Sequence, residues 1–232
     1  MRVIVGTSGY SYKEWKGTFY PKALPASGML SFYATHFGAV EINNTFYRMP
    51  NEKTLTKWAS EVPDGFTFIL KAPAWITLSR KFDAAEGIRR FFDIASVLGP
   101  KLGPALFRRE QVDGIRELLG AVPKGKRVCV EFRPEPPLDE PLLATLREHD
   151  AAFCIADTDE VEDPDKLVVP TASWGYLRLR RTDYSDQQLA AWAKRVSAQP
   201  WSHAYVFFKH EDEGKGPVFA KRFLALLGND SH

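Results

Sequence analysis

Short runs that pattern as β-strands alternate with helix-patterned segments along this whole chain, and there are eight of them. Strands are expected near 2–7, 39–43, 66–71, 104–107, 127–132, 151–157, 174–180 and 203–208, where β-branched and aromatic residues concentrate. Helices fit between them at 28–37, 52–61, 84–98, 112–120, 139–149, 186–198 and 217–227, with Asn51, Asp83 and Ser185 as amino-terminal caps. Only the sixth connection, 157–172, reads as irregular. Strand, crossover and strand join right-handed and parallel, so eight such units predict a (β/α)8 TIM-type barrel of the α/β class. At 232 residues the chain suits one domain spanning 1–232 with short loops. The alternative is an open doubly wound sheet. Its first turn would be Gly6-Thr7-Ser8-Gly9-Tyr10, which lacks the third glycine and downstream acid of a dinucleotide fingerprint.

Several strands switch from apolar to polar at their carboxyl ends. In 40–47, Val40 and Ile42 share one face while Glu41 and Asn43 share the other; Glu131 with Arg133 and Arg178 with Arg180 repeat the arrangement. A sheet covered by helices needs an apolar outer face, so these polar residues must meet a ligand or one another. Barrel active sites lie at the carboxyl ends of the strands, which makes one candidate set. Glu41, Glu131 and Asp157 are the candidate catalytic acid and base. Ser8, Tyr10, Trp15, Asn43, Tyr47, Lys71, Arg133, Arg178 and Arg180 are the candidate substrate-binding residues, with Thr7, Arg108, Lys209 and His210 nearby.

Three carboxylates among several cations admit three arrangements: acid–base chemistry, a carboxylate-rich metal site, or buried ion pairs that hold the barrel together. Of the five histidines, His36, His149, His203, His210 and His232, only His210 falls near a strand's carboxyl end, which argues against a multi-histidine zinc cluster. No metal ligands and no cofactor are assigned, although a divalent cation held by oxygens stays open. Cations outnumber acids in the set, so the mouth is expected to attract phosphate or carboxylate through Arg133, Arg178 and Arg180. The opposing reading of Arg180 and Arg181 is a solvated charge run. Tyr10, Tyr12, Trp15, Phe19, Tyr20, Phe46, Tyr47 and Trp75 crowd the first three loops. They are either stacking faces for a sugar or base, or a lid of rings packed on one another.

A net charge of +2 gives no polyelectrolyte signal, so any nucleic-acid contact has to come from a local patch. No signal-like run opens the chain and no window approaches the roughly 20 apolar residues of a membrane span, which predicts a soluble, cytoplasmic protein. Cys129 and Cys154 lie inside strand-like runs and read as buried core thiols. Serine-hydrolase, zinc-protease and phosphate-loop motifs are absent.

The chain resembles the YecE-like family, domain of unknown function 72. The likeness runs through Gly6-Thr7-Ser8-Gly9-Tyr10, Trp15, Phe19-Tyr20-Pro21, Glu41-Ile42-Asn43-Asn44-Thr45-Phe46-Tyr47, Trp58, Gly65-Phe66 and Lys71-Ala72-Pro73. It continues more loosely through Leu102-Gly103-Pro104, Glu131-Phe132-Arg133, Ile155-Ala156-Asp157, Tyr176-Leu177-Arg178-Leu179 and Tyr184-Ser185-Asp186. The resemblance implies a barrel and no settled activity. It also marks departures: Arg108-Arg109-Glu110 replaces a Gln-Leu-Pro-Pro turn, Pro134 a histidine, Arg180-Arg181 a His-Gly, and Lys209-His210 an Asn-Asn. The resulting expectation is an enzyme of hydrolase or lyase type acting on a nucleotide, nucleic acid or sugar phosphate. The alternative is a non-catalytic module binding nucleic acid or a metabolite through a degenerate site. Oligomeric state is not legible.

Overall fold

The computed structural model describes residues 1–78, 84–209 and 214–228. Eight strands appear where alternation placed them: β1 (Arg2–Ser8), β2 (Ala39–Ile42), β3 (Thr67–Leu70), β4 (Ala105–Arg109), β5 (Val128–Phe132), β6 (Ala152–Asp157), β7 (Gly175–Leu179) and β8 (His203–Phe208). They form one sheet in the order β3-β2-β1-β8-β7-β6-β5-β4, and every pairing is parallel. The two ends of that order, β3 and β4, meet through single parallel bridges at Phe68–Leu102 and Lys71–Leu106. The Ala72 amide donates to the Leu106 carbonyl at 2.9 Å across the same seam. The result is a nearly closed barrel of the TIM type.

Helices α1 (Met29–Ala34), α2 (Glu52–Ser60), α3 (Ala74–Thr77), α4 (Ala84–Ala95), α5 (Ile115–Gly120), α6 (Glu140–Glu148), α7 (Asp186–Ser197) and α8 (Lys215–Gly228) cover it. Caps set their starts: the Asn51 side chain accepts from the Thr54 amide, Asp139 from Leu142, and Ser185 forms a capping box with Gln188. The expected Asp83 cap lies outside the described residues. The expected helix at 28–37 is shorter, with a 3-10 turn at Ala26–Gly28 ahead of it, and 84–98 ends in a 3-10 segment, Ser96–Lys101, turned at Gly99. Helix α3 was not expected; it follows Pro73, whose fixed φ suits a helix start. The β6–β7 connection is irregular, as its sequence implied, with one 3-10 turn at Pro164–Leu167.

Strand alternation splits the core in two. Ile4, Ala39, Ile69, Leu106, Cys129, Cys154, Trp174, Tyr176, Tyr205 and Phe207 fill the barrel, while the opposite faces pack under the helices. Cys129 and Cys154 are free and buried in the inner layer. At Gly6 on β1 an added Cβ would stand 2.1 Å from the Ala39 carbonyl oxygen, so only glycine permits this β1–β2 approach.

Candidate functional site

Parity carries polar side chains into the barrel at its carboxyl end. Ser8 pairs in register with Glu41, Arg108 with Glu131, and Arg178 lies two residues beyond the inward Tyr176. All of these extend the inner layer upward. Arg178 is 2% exposed and joins the two carboxylates: its Nη2 donates to Glu41 Oε1 at 2.8 Å and its Nη1 to Glu131 Oε1 at 2.5 Å. Glu41 also accepts from Tyr176 Oη at 2.6 Å and Asn43 Nδ2 at 3.1 Å. Glu131 Oε1 accepts from Arg133 Nε at 3.1 Å and Nη2 at 2.9 Å, with Arg180 Nη1 3.6 Å away. Lys71 Nζ stands 3.5 Å from the other oxygen, Oε2.

The electrostatics follow from burial set against these partners. Burial alone would raise the Glu131 pKa, but Arg178, Lys71 and Arg133 outweigh it and bring it down to about 2. Glu41 is shifted the same way, burial opposing and Arg178 with Tyr176 prevailing. Burial disfavours the Arg178 charge as well, yet Glu41 and Glu131 hold it firmly protonated. Lys71 differs. Burial lowers its pKa and nearby Arg178 and Arg133 add to the effect, while Glu131 and Glu41 only partly oppose them. Its ammonium sits over the Phe46 ring, 4.8 Å from the centroid, and Arg108 approaches the same ring at 5.8 Å.

Two carboxylates thus face Lys71, Arg133, Arg178 and Arg180, and the rim is cationic. Hydrogen-bonding capacity is left over here. Arg108 Nε, Arg178 Nε and Arg180 Nε are buried without a hydrogen-bond partner. Ser8 Oγ likewise lacks a partner at hydrogen-bonding geometry, though it stands near enough to Glu41 to favour the carboxylate. Buried donors without acceptors cost about 1–3 kcal/mol each, so this mouth carries donor capacity that the protein's own acceptors do not use.

The structure does not bring every expected residue to this group. Asp157 has the opposite parity: it faces the helix layer, where Arg181 Nε, Tyr184 Oη and Trp192 Nε1 donate to it at 2.8, 2.9 and 2.8 Å. The inner layer takes Ala152 and Cys154 from β6, an odd number of positions from Asp157, so strand alternation itself separates Asp157 from Glu41 and Glu131. Trp15 offers no stacking face, being 0% exposed and packed against Tyr12, Phe19 and Tyr20. Tyr10 is half-buried against Tyr33, and burial followed by Glu61 pushes its phenol up to about 12. Tyr47 is open at 85% exposed. Thr7 turns outward to Tyr33, whose hydroxyl lies 2.9 Å from its own. His36 packs against Phe19 and Phe32, His149 follows α6, and His203 opens β8 at the far end of the barrel. His210 and His232 lie outside the described residues.

Tyr176 and Phe46 are the members that residue-by-residue reading undervalued. Tyr176 shares parity with Arg178, and Phe46 follows the strand that carries Glu41, so register was the available signal. Among the described residues no three His, Cys, Asp or Glu side chains gather so as to hold a metal ion. No described helix is long and apolar enough to cross a membrane. A groove of about 620 Å3 runs along α7, but its Arg181 and Arg195 are already engaged by Asp157 and Asp165.

A family model described as "Protein of unknown function DUF72" matches residues 4–232. The UPF0759 protein YunF of Bacillus subtilis is 23% identical over 275 aligned positions, covering 97% of this chain and 94% of that protein. The UPF0759 protein YecE of Escherichia coli K12 is 29% identical over 111 positions, 45% of this chain and 41% of that one. A crystal structure of a DUF72 family protein from Thermotoga maritima superposes with a TM-score of 0.83 at 24% identity, covering 98% of this chain and all of that one, which is a likeness of fold.

Proposed function

We propose that this chain, which belongs to the DUF72 family of proteins of unknown function, is an enzyme that holds a phosphorylated or similarly anionic substrate at the carboxyl-terminal mouth of its barrel. The observation that carries this reading is the excess of inward cations over carboxylates, together with buried guanidinium nitrogens that have no partner. Guanidinium groups match phosphate oxygens with paired, charge-assisted hydrogen bonds. The cations are recessed, Lys71 at 9% and Arg178 at 2% exposed, and the chain as a whole carries only +2. That favours a compact phosphate ester or nucleotide over an extended nucleic-acid backbone, which needs a broad basic surface.

In this reading Arg133, Arg180 and Lys71 contact the anion. Arg178 orients Glu41 and Glu131, which stay ionised and fix the geometry of the cations. An acid–base role for these two carboxylates fits less well, since Arg178 and the other partners lower both pKa values, that of Glu131 to about 2, away from the working range of a general base. The same fact favours a second reading, a binding protein without turnover. Turnover of phosphate esters by the purified protein separates the two.

Binding is tested by thermal denaturation in increasing inorganic phosphate. At 100 times the dissociation constant a ligand adds about 2.7 kcal/mol of stability, so a clear rise in Tm is expected. Arg133→Gln and Arg180→Gln should each weaken phosphate binding by about tenfold or more, the worth of one charge-assisted hydrogen bond. A wild-type Tm indifferent to phosphate, nucleotides and sugar phosphates alike rejects the reading.

A further inference from the structure

We propose that Lys71 is a nucleophile that forms an imine with the carbonyl carbon of a phosphorylated aldehyde or ketone held at this mouth. The inference rests on the anion-binding reading and adds to it a substrate class and a reacting atom.

The argument is one of position. Lys71 follows β3, and its backbone is pinned on both sides, bridged to Leu106 and with its amide donating to the Ile42 carbonyl at 3.1 Å. The carbonyl accepts from Thr45 Oγ1 at 2.7 Å. A flexible side chain is thereby mounted on a fixed stem, which is what a reacting amine needs. It is less committed than the two arginines held closest to Glu131. Arg178 and Arg133 both crowd Glu131 Oε1 within 2.5–3.1 Å, whereas Lys71 has only Oε2, at 3.5 Å. The aromatic face of Phe46 covers it from the other side.

An amine must shed its proton to attack, and burial beside other cations is the arrangement that makes this easy. Lys71 has both, with Arg178 and Arg133 as the like charges. The guanidinium groups around it cannot react this way, since they stay protonated, but they can hold the substrate's phosphate while the carbonyl meets Nζ. In the step itself the Lys71 ammonium first releases a proton to water. The neutral Nζ then adds to the carbonyl carbon, and the resulting carbinolamine loses its oxygen as water. One C=O bond is exchanged for one C=N bond with no net oxidation. A protonated imine next to Glu131 is stabilised by the same carboxylate that faces the ammonium.

The test uses the full chain with pyridoxal 5′-phosphate as a phosphate-bearing aldehyde and pyridoxal as its phosphate-free partner, followed by borohydride reduction and peptide mass spectrometry. The expected result is a reduced adduct concentrated at Lys71, more than about tenfold weaker with pyridoxal and suppressed by inorganic phosphate. Lys57 and Lys166, whose side chains are 65% and 83% exposed, report background labelling. Lys71→Arg keeps the positive charge and should lose the adduct, with the background label at Lys57 and Lys166 unchanged. Label spread over Lys57 and Lys166 with none at Lys71 overturns the inference; if phosphate still raises Tm in that case, the anion-binding reading survives it. Label at Lys71 that is equal for the two aldehydes and untouched by phosphate upholds the nucleophile and overturns the anion site instead.

Discussion

Replacing Arg178 by methionine isolates what its guanidinium does, because the substitution keeps much of the volume and removes the charge that Glu41 and Glu131 share. In the intact protein the Glu131 pKa falls from 4.5 to about 2, a difference equivalent to about 3 kcal/mol. A depressed folded-state pKa means that this stability is fully present above pH 4.5 and is lost as pH falls towards 2. In Arg178→Met the carboxylates remain buried, but Glu41 keeps only the Tyr176 and Asn43 hydrogen bonds, the nearby Ser8 hydroxyl and the more distant Lys71. Burial then dominates and pushes its pKa upward, past the ordinary carboxylate range. The expected cost at pH 7 is about 3–5 kcal/mol, the usual result of leaving buried charge uncompensated. The sign of the pH dependence should also reverse: the variant gains stability as pH drops from 7 towards 4.5, where the wild type is flat, because protonation relieves the stranded carboxylate. Urea denaturation followed by tryptophan fluorescence at pH 7, 6 and 5 measures both, the buried Trp15, Trp174 and Trp192 serving as reporters. A loss below about 1 kcal/mol at pH 7, or a pH profile parallel to wild type, would refute the claim that Arg178 neutralises this pair.

Asp157→Asn should lower stability by about 2–4 kcal/mol through its bonds to Arg181, Tyr184 and Trp192, while phosphate affinity stays at the wild-type value; altered affinity would mean that Asp157 communicates with the mouth after all. Trp15→Ala should cost about 3–5 kcal/mol in denaturant titrations, as for any large ring removed from a filled core. Tyr47→Ala, at an exposed ring, should change stability by less than about 0.5 kcal/mol, so a reduced affinity for nucleotides with unchanged affinity for inorganic phosphate would identify Tyr47 as a base-stacking face.

The barrel was legible because period-2 and period-3.6 patterns alternate along the chain, and each strand is short enough to show its bounds. The facing of Glu41, Glu131, Arg133 and Arg178 was legible for the same reason, since each shares a strand face with its polar neighbour. Asp157 was not placed correctly because its strand ends Ile-Ala-Asp, where Ala156 marks neither face and only Cys154 reveals which one turns inward. Trp15 was misjudged by context: its polar neighbours Lys13, Glu14 and Lys16 suggested exposure, yet Phe19, Tyr20 and Tyr12 fold over it through a 3-10 turn that no period betrays. Loop conformations of this kind depend on what they pack against, and periodicity says nothing about that.

The mouth imposes a constraint on how function can be dissected here. A barrel whose inner layer ends in two fully buried carboxylates needs cations beside them to keep them ionised, so Arg178 supports the fold whether or not a ligand ever arrives. Loss of binding in an Arg178 variant would therefore carry no information about the ligand. Arg133 and Arg180 escape this difficulty. Arg133 is 39% exposed along its side chain, Arg180 reaches Glu131 only at 3.6 Å, and Glu131 keeps Arg178 when either is removed. Lys71 is the third such position, because the carboxylate it pairs with, Glu131, is already neutralised by others. Of the charged residues at the mouth, these three can be changed without stranding a buried charge, so they are the ones through which a ligand can be read.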